Sequence, residues 1–263
     1  MASPLRLQHS RKIATTLSYF DPYDYPLTKA EIDHWQSVTV NDQDSYQTKN
    51  GYYFLPGRES LIKLRRQREK IAVKKWQIAK KVGMKLKRLP TIAAVLVTGA
   101  LAMNNTPQAD DIDLMVITYP QTLWLTRCLV NLFLHSTRRF PGQKIAPGKI
   151  CINLWLDTHN LHIKTHNLYQ AHEVLQAKVL WDRANIHGDF LQANGWVKKY
   201  LPSAYPGSIP DRALASKDWI PFSPLFWPVN LLFFILQYLY MLPKKTSEQV
   251  GLGYAFFHPR TEV

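Results

Sequence analysis

Six consecutive apolar residues, Ile92–Val97, carry enough β-branched side chains to predict a fully buried strand. Thr98-Gly99-Ala100 breaks the run, and a glycine there permits a tight backbone turn. After a short helical or looped excursion, the residues Asp111–Ile117 alternate and predict a second strand. Alternation puts Asp111 and Asp113 on one face and Ile112 and Leu114 on the other. A helix is predicted over Gln121–Phe140, with apolar Leu123, Leu125, Leu129, Leu132 and Phe133. A loop, 141–148, and a strand, Lys149–Asp157, follow. Strand, helix and strand in this order predict an α+β fold, a mixed sheet backed by helices.

The flanking patterns are helical. Ile13, Leu17 and Phe20 space one face of a helix over Arg11–Phe20, and Thr28 with Glu31 has the spacing of a capping box that starts another, through Trp35. Asn50-Gly51 before Tyr52–Leu55 signals a hairpin. Residues 1–56 therefore read as a helical, winged-helix-like module ahead of a larger domain, 57–263. A DNA-reading helix would have to lie in Val38–Lys49, which is polar and short, so packing or oligomerisation is the other use of the module. Arg58–Arg88 predicts a long helix with Gly83 as a point of bending, Asn167–Trp181 a further helix, and Gly188–Leu201 another. Within that pattern Lys63–Arg88 holds twelve Lys or Arg against one acid, Glu69. That run is either a solvated face or an electrostatic platform for phosphate-bearing ligands or nucleic acid.

Charge sharpens the choice of partner. The chain carries a formal net charge of +14, which favours polyanions: nucleotides, nucleic acid or an anionic membrane face. Its two cysteines, Cys128 and Cys151, have neither zinc-ligand nor disulfide-framework spacing and read as buried thiols. The N-terminal residues lack an apolar signal core, so a cytoplasmic protein is expected. His159, His162, His166 and His172 cluster in sequence but fit no compact ligand set. From Pro224 to Leu242 there is no charge. Residues 219–242 accordingly admit three readings: a core helix, an interfacial helix in peripheral contact with a membrane, or a span shortened by Pro224, Pro228, Asn230 and Gln237. The aromatic segment Gly253–Pro259 is expected to pack back onto the body.

Two carboxylates on one strand face repel unless a cation sits between them, and Mg²⁺ takes carboxylate and phosphate oxygens together. The strand, the Gly99-Ala100 turn and Asp111-Ile112-Asp113-Leu114 resemble the polymerase-beta-like nucleotidyltransferase superfamily over about thirty residues. The resemblance implies a nucleotidyltransferase-like fold, Mg²⁺ on Asp111 and Asp113, and a nucleoside triphosphate, ATP first among them, whose phosphates lie on Thr98, Gly99 and Ala100. It implies an enzyme that moves a nucleotidyl group to an acceptor. The chain departs from the family pattern at Ala100, where a serine or glycine is usual and Thr98 would have to supply the hydroxyl. It departs again at the third carboxylate, for which the strand offers Asn153 or, at its end, Asp157. With Asn153 there, the base that deprotonates an attacking hydroxyl is missing, and a binding protein without transfer is the alternative.

Overall fold

The computed structural model describes residues 4–37, 45–140, 142–143, 145–209, 223–244 and 246–257. Its centre is a six-stranded mixed sheet covered by helices, an α+β architecture. In chain order the strands of this sheet are β4 (Ile92–Val97), β5 (Ile112–Thr118), β6 (Ile150–Asp157), β7 (Lys178–Asp182), β8 (Gln249–Gly251) and β9 (Tyr254–Phe256). They lie side by side as β7-β4-β5-β6-β9-β8. The one parallel pair is β5 with β6; every other neighbour is antiparallel. A parallel pair needs a crossover, and helix α5 (Leu123–Phe133) supplies it.

The N-terminal segment forms α1 (Pro4–Phe20), β1 (Leu27–Thr28), α2 (Lys29–His34), β2 (Gln47–Lys49) and β3 (Tyr52–Phe54). The three strands make a separate antiparallel sheet, β1-β3-β2. Thr28 and Glu31 complete the capping box at α2. Residues 38–44, where a recognition helix would begin, lie outside the described residues, and Gln47–Lys49 is strand rather than helix. The module does not stand apart from the rest of the chain. Ile13, Phe20 and Trp35 belong to the same hydrophobic cluster as Ala94, Met115 and Ile117 on one face of the large sheet. The opposite face packs Ile112, Leu114 and Trp155 against α5 and against α3 (Leu61–Leu86).

Helix α3 runs through Gly83 without interruption, and the missing side chain there has a packing cause: a Cβ would stand 3.1 Å from Leu180 Cβ of β7. Its basic residues divide. Lys63, Arg66, Lys70, Lys74, Lys80 and Lys81 are exposed, whereas Arg65 and Lys75 are buried. Ile78 is exposed as well.

Several predicted helices are shorter than their patterns. The chain leaves α5 at Leu134 and turns so that Arg138 bridges to Ile150 alongside β6. Helix α6 (Leu168–Gln176) ends before the expected Trp181, because the following residues become β7 and close the free edge of β4. Helix α7 (Ile186–Ala193) stops at Asn194, whose buried amide side chain bonds the backbone of Leu161, Ile163 and Phe190.

The apolar tail forms α8 (Ser223–Met241). Its polar interruptions are its attachment points. Asn230 Oδ1 accepts from Trp124 N at 2.8 Å, capping α5, whose own N-cap side chain makes no capping bond. Gln237 donates to Trp124 O at 2.8 Å and accepts from Arg127. The other side of α8 is exposed and apolar, so it is not the fully buried core helix that one reading expected. Among the described residues no helix is long and apolar enough to cross a membrane. The terminal hairpin β8–β9 adds two strands to the sheet, packing back onto the body as its aromatic pattern predicts.

Arg65 ties the module to α3. Its guanidinium bonds both Glu31 oxygens at 2.8 Å, Glu69 at 2.9 Å and the carbonyl of Pro26, and lies over the rings of Tyr25 and Tyr52. Burial alone pushes the Glu31 carboxyl up, but Arg65 and Thr28 outweigh it and hold the group below its ordinary range. Arg65→Ala is therefore expected to cost about 3 kcal/mol, since it strands a carboxylate. The depressed carboxyl contributes stability above its unfolded pKa and loses it as pH falls through its folded value. Denaturant titrations should show the cost in full at neutral pH and shrinking below about pH 4.

Candidate functional site

The end of β4 and the start of β5 meet at the candidate site. Thr98 N donates to Asp113 O at 3.1 Å, which continues the antiparallel ladder into the turn. Gly99 then adopts a φ of +60° and opens the short helix α4 (Gly99–Ala102). A Cβ at Gly99 would lie 2.7 Å from Asp113 Oδ2. Both the left-handed backbone and the close approach require glycine. The loop from α4 back to β5 is held from beneath by α3. Lys75 Nζ donates to Thr106 Oγ1 at 2.7 Å, Pro107 O at 2.6 Å and Asp110 O at 2.8 Å. Trp76 donates to Asn104 Oδ1 at 2.8 Å.

Strand β6 completes the site from the parallel side. Asp113 pairs with Cys151 in register, and an irregularity follows: Leu114 pairs with Ile152 but Met115 with Leu154. Asn153 is the extra residue, and its Nδ2 donates to Asp113 Oδ1 at 2.6 Å. Arg139 Nη1 donates to Asp111 Oδ2 at 2.8 Å. One ligand atom from each of Asp111, Asp113 and Cys151 falls within 4.8 Å of the others.

Like charges and burial dominate the electrostatics. Burial pushes the Asp113 carboxyl up to about 8; Asp111, Glu173 and Asp110 add to this, and Arg139 opposes it. Burial also raises the Cys151 thiol to about 12, with Asp113 and Asp111 reinforcing it. Glu173 on α6 is raised to about 7 by burial while its side chain accepts from Gln176.

This donor set suits a hard divalent cation. Two carboxylate oxygens converge, one of them on a group that is costly to ionise without added positive charge. The thiol is held protonated and is a poor ligand for such an ion. Phosphate oxygens from a ligand would complete an Mg²⁺ shell.

The sequence-predicted residues separate into two groups. Asp111, Asp113, Gly99 and Asn153 converge. Thr98 is buried, with no side-chain bond to the start of α4, and the Ala100 carbonyl accepts from Asn105 N at 2.9 Å. Asp157 does not reach the site. It pairs with Thr118 at the far end of the parallel strands, and its carboxylate accepts from His159 N and Asn160 Nδ2. The histidines stay apart from it too: His172 is buried and stacked on Tyr19, and His166 stacks on Trp196. Sequence patterning missed Arg139, which its helix prediction absorbed, and Cys151, half-buried rather than fully buried and beside the acids. The internal use of Lys75 was also missed.

Three outcomes are expected. Gly99→Ala should destabilise the fold by about 2 kcal/mol in thermal or chemical denaturation, from left-handed strain and the clash with Asp113. A raised carboxyl favours the fold while it is protonated, and that contribution is lost as pH rises through about 8. Asp113→Asn should therefore raise the melting temperature at alkaline pH but not near pH 4. Cation binding to the wild type should release a proton and tighten as pH rises from about 6 to about 9. Comparison with protein-family models, with characterised proteins and with solved structures finds no match to this chain.

Proposed function

We propose that this chain binds a nucleoside triphosphate through a divalent cation on Asp111 and Asp113 and transfers its nucleotidyl group to an acceptor. The observation that carries this reading is the approach of Asp113 to Gly99. A Cβ on Gly99, whose backbone would approach phosphate, would stand 2.7 Å from Asp113 Oδ2, the carboxylate that would hold the cation, and a solvated acidic hairpin would not require so close an approach. The nucleotidyltransferase-like character of the fold is part of the same proposal and is supported by the strand, glycine turn and paired-acid strand.

Each residue has a physical task. Asp111 and Asp113 would hold Mg²⁺, which supplies charge to the attacking and leaving oxygens of an in-line displacement. Gly99 lets the Asp113 carboxylate lie against the turn whose backbone would meet phosphate. Arg139 holds Asp111 in place, and Asn153 fixes one oxygen of Asp113 so that the other faces Gly99. Lys75 anchors the loop that delivers Asp110 and Asp111. Exposed lysines of α3 add a positive field that attracts the triphosphate.

Asn153 favours a second reading, binding without transfer. Its amide is donated to Asp113 and has no proton-accepting role there.

Calorimetric titration of Mg·ATP should show binding that needs the cation and is lost in Asp111→Asn/Asp113→Asn. Unchanged binding in the double variant would remove the proposal. Under the second reading, Asn153→Asp should raise pyrophosphate release from nothing; under the first, wild type already releases it once its acceptor is supplied.

A further inference from the structure

A cavity of about 680 Å³ adjoins the paired acids. Arg139, Cys151 and Asn153 belong to both: they line the cavity and they surround Asp111 and Asp113. Residues of α5 and α8 also line it, and its aromatic and aliphatic walls include Trp155, Phe257, Met241 and Tyr240. Tyr240 is 61% exposed, on a helix that bears a wider apolar surface. That surface comprises Leu232, Leu236 and Leu239 of α8, with Leu132 and Phe133 of the adjoining α5.

Two cations sit in the apolar cavity wall without acidic partners. Arg127 and Arg138 form no ion pair among the described residues. Arg127 lies over the rings of Trp124 and Phe257, and Arg138 over Phe140, with Arg138 Nη1 on Asn131 at 3.1 Å. Arg138 Nε is buried and has no hydrogen-bond partner. Burial and the charge of Arg138 lower the Arg127 guanidinium to about 10. The acid that lines the cavity, Glu248, accepts from Thr246. Two unneutralised guanidinium groups inside an apolar enclosure are matched by an anionic head on a hydrocarbon body, because free phosphate leaves the walls unfilled and a neutral chain leaves the cations unpaired.

We propose that the acceptor is an anionic amphiphile with a phosphate head, held by Arg127 and Arg138, whose hydrocarbon leaves the cavity past Tyr240 toward the apolar face of α8. This deepens the nucleotidyl-transfer reading and rests on it for the reaction, though not for binding. It also accounts for Asn153. A phosphate monoester is already ionised at neutral pH, so its oxygen needs no base. That oxygen attacks the α-phosphorus of the triphosphate and forms a new P–O bond. The bond from the α-phosphorus to its bridging oxygen breaks, pyrophosphate leaves with the electron pair, and no proton is transferred. The product is a diphosphate diester joining nucleoside and amphiphile.

The test is calorimetry on the full chain with three probes: dodecyl phosphate below its micelle concentration, dodecyl maltoside and inorganic phosphate. Saturable binding of dodecyl phosphate alone is expected, weakened about tenfold by Arg138→Gln and largely restored by Arg138→Lys. Asp113→Asn should retain it, which separates amphiphile binding from the nucleotide site. Equal binding of dodecyl maltoside, equal binding of inorganic phosphate, or an unchanged affinity in Arg138→Gln would overturn the proposal. If Mg·ATP binds and dodecyl phosphate does not, the acceptor assignment falls and nucleotide binding stands. With Mg·ATP and its sister triphosphates, phosphatidic acid vesicles should yield pyrophosphate and diacylglycerol vesicles none. Amphiphile binding without pyrophosphate release would overturn the acceptor role.

Discussion

Two carboxylates held close together, one of them half-buried and pushed toward its protonated form, are the constraint from which the rest of this molecule can be read. Asp113 cannot ionise cheaply where it is, yet the chain invests several elements in keeping it there. The hairpin of β4 and β5 brings Gly99 under its oxygen. Parallel β6 brings Asn153 to the other oxygen. Lys75, buried under the loop, spends a full positive charge on three oxygen acceptors rather than on solvent. A fold optimised only for stability would replace a strained carboxylate by an apolar residue, as the cost of buried charge dictates. Retaining it fits the proposal that a cation completes the site.

The parallel pairing of β5 with β6 determines what surrounds the acids. It obliges the chain to cross over the sheet through α5, and the return segment runs Arg138 and Arg139 beside the start of β6. Arg139 thereby reaches Asp111, while Arg138 turns to the cavity. On β6, strand β9 pairs with Leu154, Trp155 and Leu156; nearer the start of β6 the neighbour on that side among the described residues is the Arg138 bridge to Ile150. The cavity occupies that region. The space beside the site and the basic groups within it are thus consequences of one crossover and one short edge strand.

Much of this was legible in the sequence where a signal is local. The strand Ile92–Val97, the glycine turn, the acid pair and the capping box at Thr28 each follow from a few adjacent residues, and each has its element. What periodicity could not show was where an apolar run serves a partner elsewhere. Val179–Trp181 reads as helix by composition but is a strand, because β4 has an edge to cover. Alternation offered Asn153 for a third polar position, with Asp157 on the same face at the strand's end. The register irregularity at Leu114 and Met115 separates them, and no pattern within β6 announces it. Asn230 and Gln237 looked like flaws in an apolar helix, yet they cap and clamp α5.

The positive charge of the chain illustrates why a total is a weak guide to function. Arg65 and Lys75 lie within the run that looked like a solvated platform, and both are consumed in holding the module and the loop. Arg127 sits in a helix that read as ordinary amphipathic structure, but it is half-buried, forms no ion pair among the described residues, and lies among rings. A charge placed in that way is expensive, and the expense is recovered only when an anion arrives. The groups that distinguish this chain from a generic basic protein are therefore the few cations hidden in its apolar cavity, rather than the many on the surface of α3. Their position, next to an acid pair that has an amide where a base would stand, makes an acceptor that is already charged the chemically consistent one.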